Sequence, residues 1–312
     1  MKSFSAALCL FLLLCAPALR AQNQEPKLVT WQDLVQTPAP AAGMRIMYGP
    51  DSLQFGELRV PPGKGPFPVV VVIHGGCWLS QYNHGYMNHL SAALTRAGYA
   101  TWNIEFRRVG SPGGGWPGTF QDVGKAVDFV RELAKQYPVN GKKVAVLGHS
   151  AGGHLALWAA ARPKLPRTSP LYSRHPLKIT GAVALAGITD LASYSAEKGS
   201  CNAAVEQLMG GLPQQLPERY AEASPMQLLP LKVPLLLVQG ARDPIVPVEQ
   251  AQKFVALAEV KGSKAQVVLL PEAGHFDLVA PSSPAWSAVE KAVREALALP
   301  QGSDSRPQEA GR

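Results

Sequence analysis

Cysteine is scarce in this 312-residue chain, which has four, and charged side chains make up only 17% of it. Two of the cysteines, Cys9 and Cys15, fall in an amino-terminal stretch that reads as a removable leader. The remaining pair, Cys77 and Cys201, permits one disulfide at most. Two cysteines alone do not establish a bridge, and the expectation is a pair of reduced, buried thiols. Low charge beside 46% hydrophobic residues excludes a disordered chain and supplies a sizeable core. No internal repeat is present, and the 29 glycines and 28 prolines follow no period, which excludes collagen, solenoids and propellers. The formal charge is +8, but the basic residues are dispersed, with no run longer than pairs such as Arg107-Arg108 and Lys142-Lys143. Without a basic patch or an aromatic platform, nucleic acid is excluded as a partner.

The longest apolar run, Ala6 to Cys15, is too short to span a bilayer. Preceded by Lys2 and followed by Pro17 and small residues, it follows the three-part plan of a secretory signal peptide over residues 1–21. Cleavage after Ala18 and cleavage after Ala21 both fit. Leu14 before Cys15 is bulkier than lipoprotein processing accepts, so the mature chain is expected without a stable membrane anchor, in the periplasm or secreted.

Residues 22–44 read as a polar, proline-rich, extended lead-in, and residues 301–312 as a disordered tail. Between them, residues 45–300 form one domain. Arg45 to Tyr48 and Leu53 to Val60 predict a hairpin-like start. The run Pro68-Val69-Val70-Val71-Val72-Ile73 marks a strand buried on both faces. Strands near 99–106, 143–147, 179–185, 234–238 and 266–270 then alternate with helices near 87–97, 120–137, after Ser150, 248–260 and 286–297. In the second helix, Val123, Ala126, Val127, Val130 and Leu133 share one stripe. Alternation of this kind, with apolar strands, demands an α/β architecture: a mostly parallel sheet with helices on both faces. One stretch of about forty residues, roughly 190–231, lacks a clear strand and reads as a small cap insertion.

Gly148-His149-Ser150-Ala151-Gly152 lies between the strand Val144-Ala145-Val146-Leu147 and the helical pattern beginning at Leu155. Glycines two before and two after a serine suit a sharp strand-to-helix turn, where a side chain would collide and the hydroxyl is pushed out over the sheet edge. A serine hydroxyl needs a base, and the base needs a carboxylate on its far nitrogen. His275, in the loop after the last strand, is the base, and Asp243, in the loop after the preceding strand, is the acid; Asp190 is the rival acid, and Asp277 is too local to His275. His84, His89 and His175 read as solvent-exposed, while His149 and His154 read as packing or local hydrogen-bonding residues. His74-Gly75-Gly76-Cys77-Trp78 follows the all-valine strand, placing the Gly76 and Cys77 amides, with that of Ala151, where a developing oxyanion would need donors. His74 then positions the loop. Gly-Lys-Ser/Thr does not follow, so this is no phosphate cradle. Trp78 is an expected pocket wall, and Trp116, in the glycine-rich loop after the strand near 99–106, is either a second wall or a packing residue. Glu105, Arg107 and Arg108 are assigned to a strand-end salt bridge with an aspartate such as Asp122 rather than to an anionic substrate.

Together, His74-Gly75-Gly76-Cys77-Trp78, Gly148-His149-Ser150-Ala151-Gly152-Gly153, Asp243 and His275 resemble the α/β-hydrolase superfamily, and within it the esterases related to hormone-sensitive lipase and the kynurenine-formamidase-like hydrolases. The resemblance covers about residues 45–300. Cys77 departs from the glycine or aromatic residue usual at its position, which changes the pocket wall but not the backbone donor. The resemblance implies an α/β-hydrolase fold and a serine hydrolase that cleaves carboxylic esters with a small acyl group through an acyl-enzyme; the leader makes it an exported one. Aryl-formamidase and acetyl-xylan or feruloyl esterase activities use the same machinery. A catalytically silent binding protein would have lost one of Ser150, Asp243 and His275, and all three are present. No metal or organic cofactor is implied; the partner is a small-molecule or polysaccharide-linked ester, and the sequence leaves the oligomeric state open.

Overall fold

The computed structural model describes residues 27–298. The leader at 1–21 and the tail at 301–312 lie outside the described residues. An eight-stranded sheet organises the fold, built from β1 (Met44–Met47), β2 (Phe55–Arg59), β3 (Phe67–Ile73), β4 (Ala100–Ile104), β5 (Val139–His149), β6 (Gly181–Leu185), β7 (Leu235–Gly240) and β8 (Ala265–Leu270). Its spatial order is β1-β2-β4-β3-β5-β6-β7-β8. The first two strands run antiparallel, and β3 to β8 are parallel to one another. This is the α/β-hydrolase fold.

The valine run behaves as its pattern predicts. Val69, Val71 and Ile73 enter one core and Val70 and Val72 the other, because successive strand side chains leave opposite faces. The same split divides Val144 and Val146 from Ala145 and Leu147 on β5. Helices cover both faces. α2 (Asn88–Arg96) and α10 (Trp286–Ala296) close one side; α3 (Gly118–Asp128), α4 (Val130–Gln136), α5 (Ala151–Ala161) and α9 (Val248–Val260) close the other. The single helix predicted over 120–137 is two helices that meet at Phe129, whose ψ of −16° flattens the turn between them. β8 is the half-exposed edge.

Two segments complete the site. The insertion contains α6 (Leu191–Ser195), α7 (Ser200–Met209), α8 (Pro217–Ala223) and a 3-10 turn over Pro225–Leu228, and no strand, as its composition suggested. The lead-in requires a correction: Trp31–Gln36 form a helix, α1, rather than extended chain. Thr30 accepts from the Asp33 amide while Asp33 accepts from the Thr30 amide, a reciprocal cap that satisfies two otherwise orphaned donors and nucleates one short helix. Leu34 anchors it in the core on the α2–α10 side.

Candidate active site

Because β3, β5, β7 and β8 are parallel, their carboxyl-terminal loops emerge along one edge of the sheet, where such folds bind ligands. The loop after β5 is Ser150 itself. Its φ of 56° and ψ of −123° lie where L-residues rarely sit, a local strain of about 1–3 kcal/mol. The surrounding backbone holds it there: the Ser150 amide donates to Leu185 O at 2.8 Å, and its carbonyl accepts from His154 N at 3.1 Å. The second motif glycine is required by close approach, since a Cβ on Gly152 would run into the Ile73 and His74 carbonyls at the end of β3.

The loop after β7 delivers Asp243, whose side chain is fully buried. Its Oδ1 accepts from the amides of Ile245 (2.8 Å) and Val246 (2.9 Å). Its Oδ2 accepts from Gln239 Nε2 at 3.2 Å and from His275 Nδ1 at 2.7 Å. These four donors fix the carboxylate, and the carboxylate fixes the imidazole with its proton on Nδ1 and its lone pair on Nε2. His275 and Ser150 line one cavity of about 280 Å3. The serine hydroxyl closes no hydrogen bond to the ring among the described residues. The rivals serve elsewhere: Asp190 caps α6 by accepting from the Ala192 amide, and Asp277 accepts from the amides of Gly274 and Val29.

After β3 the backbone turns through three consecutive left-handed residues, Gly76 (φ 97°), Cys77 (φ 51°) and Trp78 (φ 58°). Gly76 and Cys77 line the cavity beside Ser150. Ala151 opens α5, so its amide has no intrahelical acceptor. His74 is wholly buried and structural: Nδ1 donates to Gly75 O at 2.7 Å, and the Arg108 guanidinium reaches both Nε2 (3.2 Å) and the Glu105 carboxylate. Burial, reinforced by the Arg108 charge, holds the His74 pKa well below the usual imidazole range. Neutral His74 and Glu105 Oε1 therefore accept from one cation rather than forming an ion pair with each other.

Several sequence expectations are corrected here. Trp78 is not a cavity wall: its positive φ turns the indole into the core, where Nε1 donates to His154 Nδ1 at 3.2 Å. Trp116 does not line the cavity either; it packs edge-on against Phe120, and its amide donates to Leu208 O at 2.7 Å beneath the cap. Cys77 and Cys201 are not free thiols but a disulfide, with Cα atoms 4.9 Å apart, joining the loop after β3 to α7. His84 is not solvent-exposed: Nδ1 faces Glu105 and Nε2 faces Glu57, each at 3.2 Å. Other assignments agree with the structure. Arg107 grips Asp122 through Nε and Nη2, at 2.8 and 2.7 Å. His149 and His154 are buried as expected, but their hydrogen bonds are not local: His149 Nε2 meets the His275 carbonyl and His154 Nε2 the Ala223 carbonyl, and burial drives the His154 pKa down to about 4.

The cavity walls that the sequence did not disclose are mostly aromatic: Trp31 from α1, Tyr82 and Tyr86 from the segment after the β3 loop, and Phe276 beside the imidazole, with Ile245 and Cys201 completing them. Trp31 meets Tyr82, Tyr86 and Phe276 with ring centroids 5.4, 5.3 and 5.9 Å apart. Its signal was the Thr30-Trp31-Gln32-Asp33 capping box, hidden in a segment whose prolines and polar residues suggested extended chain. Phe276 and Tyr82 carried no signal beyond nearness to a motif.

Residues 58–257 match the family model described as BD-FAE. Among curated proteins, the chain is similar to the probable carboxylic ester hydrolase LipM of Mycobacterium tuberculosis, with 30% identity over 75% of this chain and 54% of LipM. It is similar to esterase LipC of the same organism, with 30% identity over 75% of this chain and 60% of LipC. The chain thus spans little more than half the length of these relatives. Among solved structures, a truncated carbohydrate esterase from gut microbiota superposes with a TM-score of 0.71, covering 83% of this chain and 97% of the other at 20% identity.

Proposed function

The chain belongs to the BD-FAE family, and from that premise we propose that it is a serine hydrolase of carboxylic esters. One observation carries the mechanism: an imidazole held by a buried carboxylate at 2.7 Å shares a cavity with a serine on a strained strand-to-helix turn. Ser150 Oγ attacks the ester carbonyl carbon and gives its proton to His275 Nε2, and Asp243 stabilises the imidazolium that forms. The carbonyl oxygen becomes an oxyanion facing the amides of Gly76, Cys77 and Ala151, each donor lowering the barrier by about 3–4 kcal/mol. Collapse breaks the ester C–O bond, and His275 returns the proton to the departing alcohol. A water then loses a proton to His275 as its oxygen adds to the acyl carbon, and collapse breaks the Ser150 Oγ–carbon bond, His275 returning the proton to Ser150 and the acyl group leaving as the acid. The serine–imidazole hydrogen bond closes as substrate binds, since such contacts tighten in the Michaelis complex.

The acyl group is small. A cavity of about 280 Å3 lies at the low end for ligand sites, and most of its walls are rings. The protein works in an oxidising compartment, periplasmic or extracellular. Two features support this: the leader-like pattern over residues 1–21, and a disulfide of a kind that reducing cytosol does not sustain. Side-by-side assays of short acyl esters, N-formyl aromatics and acetylated xylan rank the substrate classes. Replacing Ser150 by Ala abolishes hydrolysis of p-nitrophenyl acetate while the circular dichroism spectrum and melting transition persist. Retained turnover overturns the mechanism.

A further inference from the structure

Two side chains that the reaction above leaves unused join its two halves. The Gly75 amide, in the loop after β3, donates to the Tyr86 hydroxyl at 2.6 Å. That hydroxyl lies 2.9 Å from His149 Nδ1, and His149 Nε2 lies 3.0 Å from the backbone carbonyl of His275. The chemistry of the groups fixes every proton. A carbonyl only accepts, so His149 Nε2 carries the hydrogen. Burial, with the His275 ring 4.5 Å away, keeps His149 far below its ordinary pKa and therefore neutral, so Nδ1 presents a lone pair. Tyr86 must then donate to Nδ1, which leaves its oxygen to accept from Gly75. The result is a chain of three hydrogen bonds that all point one way, from the Gly75 N–H through Tyr86 and His149 to the His275 carbonyl. Bonds aligned in this manner polarise and stiffen one another.

The chain ties down what it touches. A Cβ on Gly75 would sit 2.9 Å from both Ser150 Cβ and the Tyr86 oxygen, so the β3 loop already rests against the serine turn with no slack. His149 precedes Ser150 directly, and Gly75 precedes Gly76, whose amide is assigned to the oxyanion.

We propose that His149 and Tyr86 are positioning residues that hold the oxyanion loop and the His275 backbone at a fixed separation across Ser150. Neither exchanges a proton with substrate; they act on the rate of acylation through the placement of other groups. The inference rests on the mechanism of the preceding subsection.

The test is a double-mutant cycle on p-nitrophenyl acetate with variants Tyr86→Phe, His149→Ala and the pair. The expected result is a tenfold to hundredfold fall in kcat for each single variant, with KM within about twofold, and a double variant no slower than His149→Ala alone, as members of one chain require. His149→Gln, whose amide N–H can still reach the His275 carbonyl, recovers at least fivefold over His149→Ala. Effects that multiply in the double variant, or a rise in KM with kcat unchanged, overturn the proposal: the first shows two independent contacts, the second a substrate contact. If His149→Ala does not fold, Tyr86→Phe and His149→Gln carry the comparison, and wild-type kcat in both overturns it. Ser150→Ala run alongside separates the two failures, because turnover in that variant removes the mechanism itself, whereas a dead Ser150→Ala beside unaffected His149 and Tyr86 variants removes only the positioning chain.

Discussion

The Cys77–Cys201 bridge makes the sharpest stability prediction. It spans 124 residues of sequence and joins the β3 loop to α7 of the cap. Closing a loop of that length in the unfolded chain corresponds to about 5 kcal/mol by the chain-entropy relation, and native disulfides commonly contribute about 2–4 kcal/mol when measured. Replacing Cys201 by Ala removes the cross-link and leaves Cys77 a free thiol under the cap. With an unfolding slope of about 3 kcal/mol per molar urea, as expected at this size, the urea midpoint falls by about 1 M. Equilibrium unfolding by fluorescence measures it, with intact-mass spectrometry after alkylation without reductant reporting the bond in the wild type. Adding reductant to the wild type lowers its midpoint toward that of the variant. Coincident midpoints for the oxidised wild type and Cys201→Ala, or two alkylated thiols in the untreated protein, refute the assignment.

Two further outcomes follow from the cavity wall and the buried histidines. Trp31→Ala removes the wall that α1 lends to the cavity and leaves Ser150, His275 and Asp243 untouched, so KM for p-nitrophenyl acetate rises about fivefold to tenfold with kcat within about threefold; an unchanged KM shows that α1 does not border the substrate. Acid weakens the fold through buried histidines: His154 has a pKa of about 4 when folded against the usual 6.5, so above 6.5 both states are neutral, and between 6.5 and 4 only the unfolded chain binds the proton. Stability therefore drops as pH falls through that window, by about 2 kcal/mol at pH 5 from His154 alone, with His74 and His149 shifted in the same direction; equal urea midpoints at pH 7.5 and pH 5 contradict this.

What the sequence disclosed, and what it did not, follows from the range of the interactions involved. The valine run of β3 and the strand-turn-helix at Ser150 are local patterns with local causes, and their register and backbone angles match those causes. Asp243 and His275 were legible because each lies in the loop after a predicted parallel strand, and topology alone brings such loops to one edge. Trp78 failed for a backbone reason: adjacency to the glycine motif suggested a wall, but a left-handed φ turns the indole inward to His154. Trp31 and the disulfide failed for a different reason. Both are contacts between segments distant in the chain, α1 against the loops after β3 and β8, and the β3 loop against α7, and no periodicity encodes such partners. His84 belongs to the same class, since Glu57 and Glu105 become its neighbours only when β2 pairs with β4 and the segment after β3 folds over them.

The most direct measurement is covalent. Incubation with a fluorophosphonate, followed by peptide mapping, finds the adduct on the hydroxyl at position 150 with one equivalent per chain, and labelling slows by orders of magnitude when the imidazole at 275 is replaced by Ala. No adduct, an adduct on another serine, or equal labelling without that imidazole contradicts the account.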